Sequence, residues 1–188
     1  NLGLKPSSSS QQVLSSGTFT INGTLTVGNN TNNGASAQTN DPIINVTGTT
    51  TVASGATFTT GTGAWGFAGD LTVNGTLTAG DSNTITANGN VVGAGEISLK
   101  SGGTFELRAT SSKNFGTTSG SEHWSFRNLK FSNANAGATP ITITTQNGGS
   151  GKITMFLALD IGNNSYASGT TTTLDAGSRT WQLGRSEW

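Results

Sequence analysis

Two stretches of this chain are near copies of each other. Residues 17–28 read GTFTINGTLTVG, residues 69–80 read GDLTVNGTLTAG, and a looser copy, INVTGTTTV, occupies residues 44–52. Each is a short apolar/polar alternation, then Asn-Gly or Thr-Gly, then a second alternation. Turn glycines recur at Gly23, Gly48 and Gly75, spacings of 25 and 27 residues. Self-similarity at this period marks a stacked repeat architecture, because one such unit cannot bury its apolar face alone. Asn-Gly between two alternations is also a hairpin signal and would build an antiparallel meander. Recurrence of the whole unit favours a corner between two faces of one coil. The expected fold is all-β: a right-handed parallel β-helix, or β-solenoid, with irregular coils of about 20–27 residues. An aliphatic residue at every sixth position, the left-handed pattern, is missing.

Composition agrees with a thin interior. Hydrophobic residues make up 31% and charged residues 10% of 188, against roughly 45–50% and 25% in ordinary globular domains. Disordered chains combine low hydrophobicity with high net charge, whereas here nine basic residues balance nine acidic ones. Zero net charge without basic clusters argues against a nucleic-acid partner. No run approaches the roughly 18 apolar residues of a membrane-spanning helix, so no membrane insertion is expected. Cysteine is absent, which removes disulfides and Cys metal sites. The weakly charged Ser/Thr/Asn/Gly-rich surface suggests an extracellular or cell-surface location. A start at Asn1, without Met or leader, suggests a processed or excised product.

Residues 1–16 form an expected N-terminal linker or extended arm, with Val13 and Leu14 near the first coil, and residues 17–188 the β-solenoid domain. Phe19, Ile21, Leu25 and Val27 fall on one face and Thr18, Thr20, Thr24 and Thr26 on the other. Residues 28–42 form a polar loop that interrupts the first coil. Strands are expected at Thr84–Ala87, Glu96–Leu99 and Thr104–Leu107, with Ile97, Leu99, Phe105 and Leu107 inward. Trp124 and Phe126 share a face, Leu129 and Phe131 follow out of phase, and a bulge or corner is expected at Arg127-Asn128. Ile153, Met155, Leu157, Leu159 and Ile161 are read as inward and Phe156 as outward. Leu174, Trp181 and Leu183 are read as inward around a DAGS turn. The run SEHWSFRNLKFSN, ITIT, GSGKITMFLALDIGNN and TTTLDAGSRTWQLG resembles repeat segments of large microbial cell-surface proteins: tandem β-solenoid stalks, adhesins and related extracellular fibres. The resemblance extends over most of residues 17–184. It implies a long extracellular, non-enzymatic protein and carries over no functional residue.

The residues that carry chemistry are sparse. His123 is the single histidine, read as exposed at a strand start. Carboxylates are scattered singly; Glu96 and Glu106 would align on neighbouring coils near Lys100 and Arg108, read as a solvated charge pair rather than an acid and base. Asp81 and Asn83 would be the only calcium candidates, and neither metal nor cofactor is expected. Trp124 and Trp181 sit in phase with apolar neighbours and read as core, which leaves Trp65, in a glycine-rich stretch, to stack on a sugar. Thr-x-Thr pairs at 18/20, 24/26, 49/51, 76/78 and 142/144 would form an ice-binding ladder if they stacked. Sequons fall at Asn22, Asn29, Asn45, Asn74 and Asn163, with Asn22 and Asn74 read as equivalent turn positions.

A solenoid has two open ends whose strand edges template further pairing. The expected function is therefore structural and non-catalytic: a subunit or segment of a surface filament, stalk or adhesin. It would assemble head to tail with copies of itself or with flanking solenoid domains. Phe156, Trp188, Val13 and Leu14 are the expected contacts. The alternative is a carbohydrate-binding or polysaccharide-processing β-helix that engages surface glycans.

Overall fold

The structure is a computed structural model; it describes residues 1–5, 12–29, 31, 34–80, 82–118, 123–134, 139–146, 151–162 and 171–183. No described residue is helical, and the strands pair in parallel as a β-solenoid with three faces. The first face is an eight-stranded sheet: β1 (Leu2–Leu4), β3 (Leu25–Val27), β6 (Thr50–Val52), β9 (Leu71–Val73), β12 (Val91–Gly93), β14 (Lys113–Thr117), β16 (Ile141–Thr145) and β18 (Thr172–Asp175). The second face begins with β4 (Ala35–Ala37), β7 (Thr57–Thr59) and β10 (Thr76–Thr78). The third begins with β2 (Thr18–Ile21), β5 (Ile43–Val46), β8 (Trp65–Phe67) and β11 (Thr84–Ala87).

From mid-chain the second and third faces fuse. β13 (Glu96–Ala109), β15 (Trp124–Asn133) and β17 (Lys152–Gly162) each run along both, and β19 (Thr180–Leu183) closes the second face. The cause is local. The coil after Thr59 turns the corner through TGTGA, whereas only Arg127 separates the two halves of β15. There the strand bends, and its register with β17 slips between Phe126 and Asn128, where Phe156 and Leu157 of β17 together oppose Arg127 in a β-bulge. This is where the change of phase along HWSFRNLKF places it.

Period-2 alternation fills the interior with columns of inward residues on each face. On the third face, Phe19, Ile44, Trp65, Ile85, Phe105, Leu129 and Leu159 stack in register. On the second, Phe58, Leu77, Ile97, Trp124, Ile153 and Trp181 do the same. Coil length follows from the first face: Leu25 pairs with Thr50, Thr50 with Leu71, Leu71 with Val91, Val91 with Phe115 and Phe115 with Thr145. These coils are thus 25, 21, 20, 24 and 30 residues long, and the next, from Ile143 to Leu174, is 31; the last two exceed the expected range. The wider coils enclose an aromatic cluster in which Phe115 meets Trp124 and Phe131 edge-on, at 5.2 and 5.0 Å between centroids.

The structural repeat is not in phase with the sequence repeat. In GTFTINGTLTVG the two alternations are β2 and β3, on the third and first faces; in GDLTVNGTLTAG they are β9 and β10, on the first and second. Leu25 and Leu77 are both buried but belong to different columns. Gly48 donates its N–H to the Gly23 carbonyl at 3.0 Å, so those two glycines do stack. The column then continues through Gly69 and Gly89, while Gly75 starts another under Gly95. The Asn22 and Asn74 turns are consequently not equivalent, contrary to the expectation. Every corner of a three-faced coil needs the same strand–turn–strand motif, and sequence likeness alone does not say which corner it serves.

Three other expectations are corrected. Leu157, Ile161 and Leu183 were read as inward but are exposed, at 65%, 41% and 73%. All three lie on the last coil, where no further coil covers them among the described residues. The polar loop 28–42 contains β4, a strand that Ala-Ser-Ala does not announce. Leu2–Leu4, within the expected arm, pairs with Leu25–Val27 of its own chain.

Candidate functional site

The outer surface of the third face carries the densest polar constellation. Outward positions along it run Asn45, Gly66, Thr86, Glu106, Lys130 and Asp160, in successive register. Glu106 is only 6% exposed. Ser132 Oγ donates to its Oε1 at 2.6 Å, and Arg108 Nη2 to its Oε2 at 3.1 Å. Lys130 Nζ lies 3.6 Å from Asp160 Oδ2 on the next coil. Burial favours the neutral form of Glu106, but the Ser132 and Arg108 hydrogen bonds and the charges of Arg108 and Lys130 outweigh it and hold the carboxyl below its ordinary value. Glu106 is thus ionised at neutral pH with both oxygens engaged, a poor general acid. Glu96 does not align with it on a neighbouring coil as expected: both sit on β13, Glu96 on the second face and Glu106 on the third.

Trp65 is not a stacking platform. It is 1% exposed, meets Phe58 edge-on at 5.0 Å, and donates its Nε1–H to the Thr60 carbonyl at 2.9 Å. Both ring faces lie inside the solenoid, so the expected sugar contact is corrected. The alternation in AWGFA carries the signal: Trp65 and Phe67 are two apart, as the inward pairs Ile44/Val46 and Phe105/Leu107 are. Trp124 is likewise buried, its Nε1–H bonded to the Gly95 carbonyl at 2.9 Å. His123 is exposed before β15 and accepts the Lys152 N–H at Nδ1, 3.1 Å away. No cluster of metal-ligating side chains occurs among the described residues.

The Thr-x-Thr pairs are divided among all three faces: 18/20 on the third, 24/26, 49/51 and 142/144 on the first, and 76/78 on the second. On the second face Thr57 and Thr59 extend 76/78 by one rung, with the Thr59 and Thr78 hydroxyls 2.7 Å apart. Asn22, Asn29, Asn45 and Asn74 are exposed. Asn74 Oδ1 accepts the Ala94 N–H at 3.1 Å, and Asn29 Oδ1 the Thr31 N–H at 3.2 Å. Asn163 and Trp188, together with Asp81, lie outside the described residues.

The two ends differ in kind. At the N-terminal end the inward column of the second face passes from Phe58 to Ser36, one rung earlier. Ser36 Oγ and Gln38 Nε2 both donate to the Gln12 carbonyl, at 2.8 and 3.0 Å; Gln38 Oε1 accepts the Leu14 N–H at 2.7 Å. Asn40 donates to the Leu14 carbonyl at 2.9 Å. The segment holding Val13 and Leu14 therefore covers the second face at this end, with Leu14 packed on the core and Val13 exposed, while β1 and β2 have no further strand beyond them among the described residues.

At the C-terminal end, residues 158–162 of β17 pair with β15 on one side and with no strand on the other among the described residues. Leu157, Ile161 and Leu183 are open to solvent there, beside a half-buried Phe156. Beneath this end Arg179, 6% exposed, ties coils together: it donates to the Gln146, Gly151 and Thr117 carbonyls at 3.0, 2.7 and 2.6 Å. Burial lowers its pKa from the ordinary value. A buried arginine that serves three backbone carbonyls could not be read from LDAGSRTW, because one of them, Thr117, lies 62 residues away. No protein-family model matches the chain, and neither a curated protein nor a solved structure matches it.

Proposed function

We propose that this chain is a non-catalytic structural protein of the cell surface, a β-solenoid segment of an extracellular stalk, filament or adhesin that joins its neighbour end-on through the C-terminal coil. The observation that carries the reading is the contrast between the ends. At the N-terminal end the second face is covered by a polar plug of Ser36, Gln38 and the Gln12–Leu14 backbone. The C-terminal coil presents Leu157, Ile161 and Leu183 beside a strand edge that has no partner among the described residues. An exposed edge flanked by apolar side chains is a template for another strand, and each leucine or isoleucine so covered contributes about 1.5–3 kcal/mol. A further coil, whether of a flanking solenoid domain or of a second copy, matches both requirements at once. Several outward side chains join successive coils, Thr59 to Thr78, Ser132 to Glu106 and Lys130 to Asp160, which suits a structural role better than a reaction.

Sedimentation velocity over a concentration series tests this. The wild-type chain is expected to associate, and the Leu157→Lys/Leu183→Lys variant to remain monomeric with an unchanged far-UV spectrum. A wild-type chain that stays monomeric at high concentration, or a variant that associates equally well, overturns end-on joining.

A further inference from the structure

The third face carries a trough that the structural role leaves unused. Its floor is β8 with its flanking alanines: in AWGFA, Trp65 and Phe67 point inward, so Ala64, Gly66 and Ala68 are all that face out. The neighbouring coils present larger side chains at the same columns. Asn45 and Thr47 stand on one side, and Thr84, Thr86 and Asn88 on the other. The hollow measures about 360 Å³. Two strand spacings separate its walls, about 9–10 Å, and five residues of strand give it a length of about 16 Å. Asn45 leans over the floor, its Oδ1 only 3.0 Å from where a Cβ on Gly66 would lie. Arg108 closes one end, one coil beyond Asn88. Its Nη2 holds Glu106, its Nε is buried without a partner, and its side chain is 42% exposed.

We propose that this trough binds an extended acidic oligosaccharide, lying along β8 between the Asn45 and Thr86 walls with a carboxylate directed at Arg108. The walls consist of carboxamides and hydroxyls, groups that both donate and accept and so match a polyol. The Arg108 guanidinium is paired with Glu106 through Nη2 and meets a carboxylate with its remaining N–H groups. A peptide added as a β-strand does not fit, because β8 is paired on both edges, with β5 and β11, and offers no free main-chain groups. Nucleic acid does not fit a site with a single cation and no exposed aromatic ring. The site is one for binding without cleavage: no carboxylate lines the trough among the described residues, and Glu106, beside Arg108, has both oxygens occupied.

Calorimetric titration with a hexameric oligouronate, and with the same oligosaccharide after reduction of its carboxylates to alcohols, tests the proposal on the full chain. Arg108→Gln should weaken the uronate at least tenfold, the loss expected of a hydrogen bond to a charged group, and leave the neutral sugar within about twofold. Ala64→Tyr fills the floor from an exposed position and should abolish binding of both, with an unchanged melting temperature. Absence of uronate binding to the wild-type chain overturns the proposal. So does equal binding by Ala64→Tyr, a loss that does not distinguish uronate from neutral sugar in Arg108→Gln, or selective capture of an extended peptide instead.

Discussion

Glycine-to-alanine exchange separates a corner glycine from a face glycine, and the structure sets the size of the difference. Gly89 lies over Gly69 at the corner between the third and first faces. A Cβ there would meet the Gly69 carbonyl carbon and oxygen at 2.5 Å and the Asp70 nitrogen at 2.6 Å. These are backbone atoms of the coil beneath, so no rotamer relieves them. Restoring ordinary contact near 3.4 Å requires the coils to part by roughly 0.9 Å. The flanking bonds, Asn88 N–H to Phe67 O at 2.9 Å and Leu71 N–H to Asn90 O at 2.8 Å, would then pass beyond hydrogen-bonding distance. Two such bonds are worth about 1 kcal/mol each, and overpacking adds about 1–3 kcal/mol. Some bending would share the strain, so Gly89→Ala should cost about 2–4 kcal/mol and lower the melting temperature by about 4–16 °C.

Gly66 supplies the control. The nearest atom to its Cβ is the tip of the Asn45 side chain, which is free to swing, and the nearest backbone atom is 3.9 Å away. Gly66→Ala should therefore be neutral or stabilise by up to about 1 kcal/mol through the unfolded chain. Thermal melts followed by circular dichroism, with guanidinium unfolding as a second measure, compare the two. Equal losses in both variants, or a smaller loss at Gly89, would refute the packing of corner glycines as the device that sets coil spacing.

Two further perturbations address the interior and the third face. Trp65→Ala should cost about 3–5 kcal/mol, as expected of a large buried aromatic, and leave the Thr60 carbonyl without its donor; denaturant unfolding reads this, and a stable variant altered only in sugar binding would return Trp65 to the surface. Glu106 carries a lowered folded pKa, so its stabilising contribution is fully present above its ordinary value and is lost as pH falls through the folded one. The gap in melting temperature between the wild type and Glu106→Gln should be largest near neutrality and close on acidification through that window. A gap that widens in acid would contradict the Ser132 and Arg108 bonds as its source.

The sequence alone determined the class of fold. Alternation of apolar and polar residues at period 2 decides which side chains point inward wherever a strand is covered on both sides along the solenoid axis. Ile97, Leu99, Phe105, Leu107, Trp124 and Phe126 are all buried for that reason. Recurrence of the strand–turn–strand unit required the coils to stack, and the change of phase after Phe126 located a bulge. Tertiary structure decided what depends on rung and face. Leu157, Ile161 and Leu183 obey the inward pattern yet stand in solvent, because burial needs a coil on each side and the last coil has one. The alternation in AWGFA separates Trp65 from Gly66, but only the stacking of Trp65 between Ile44 and Ile85 shows that the glycines around it leave neither ring face outside. The near-identical copies at 17–28 and 69–80 occupy different pairs of faces, since coils of 25, 21 and 20 residues do not keep step with copies 52 residues apart. Pattern specifies inside and outside along a strand; only the accumulated lengths of the coils place one strand above another, and with it the trough, the plug and the open end.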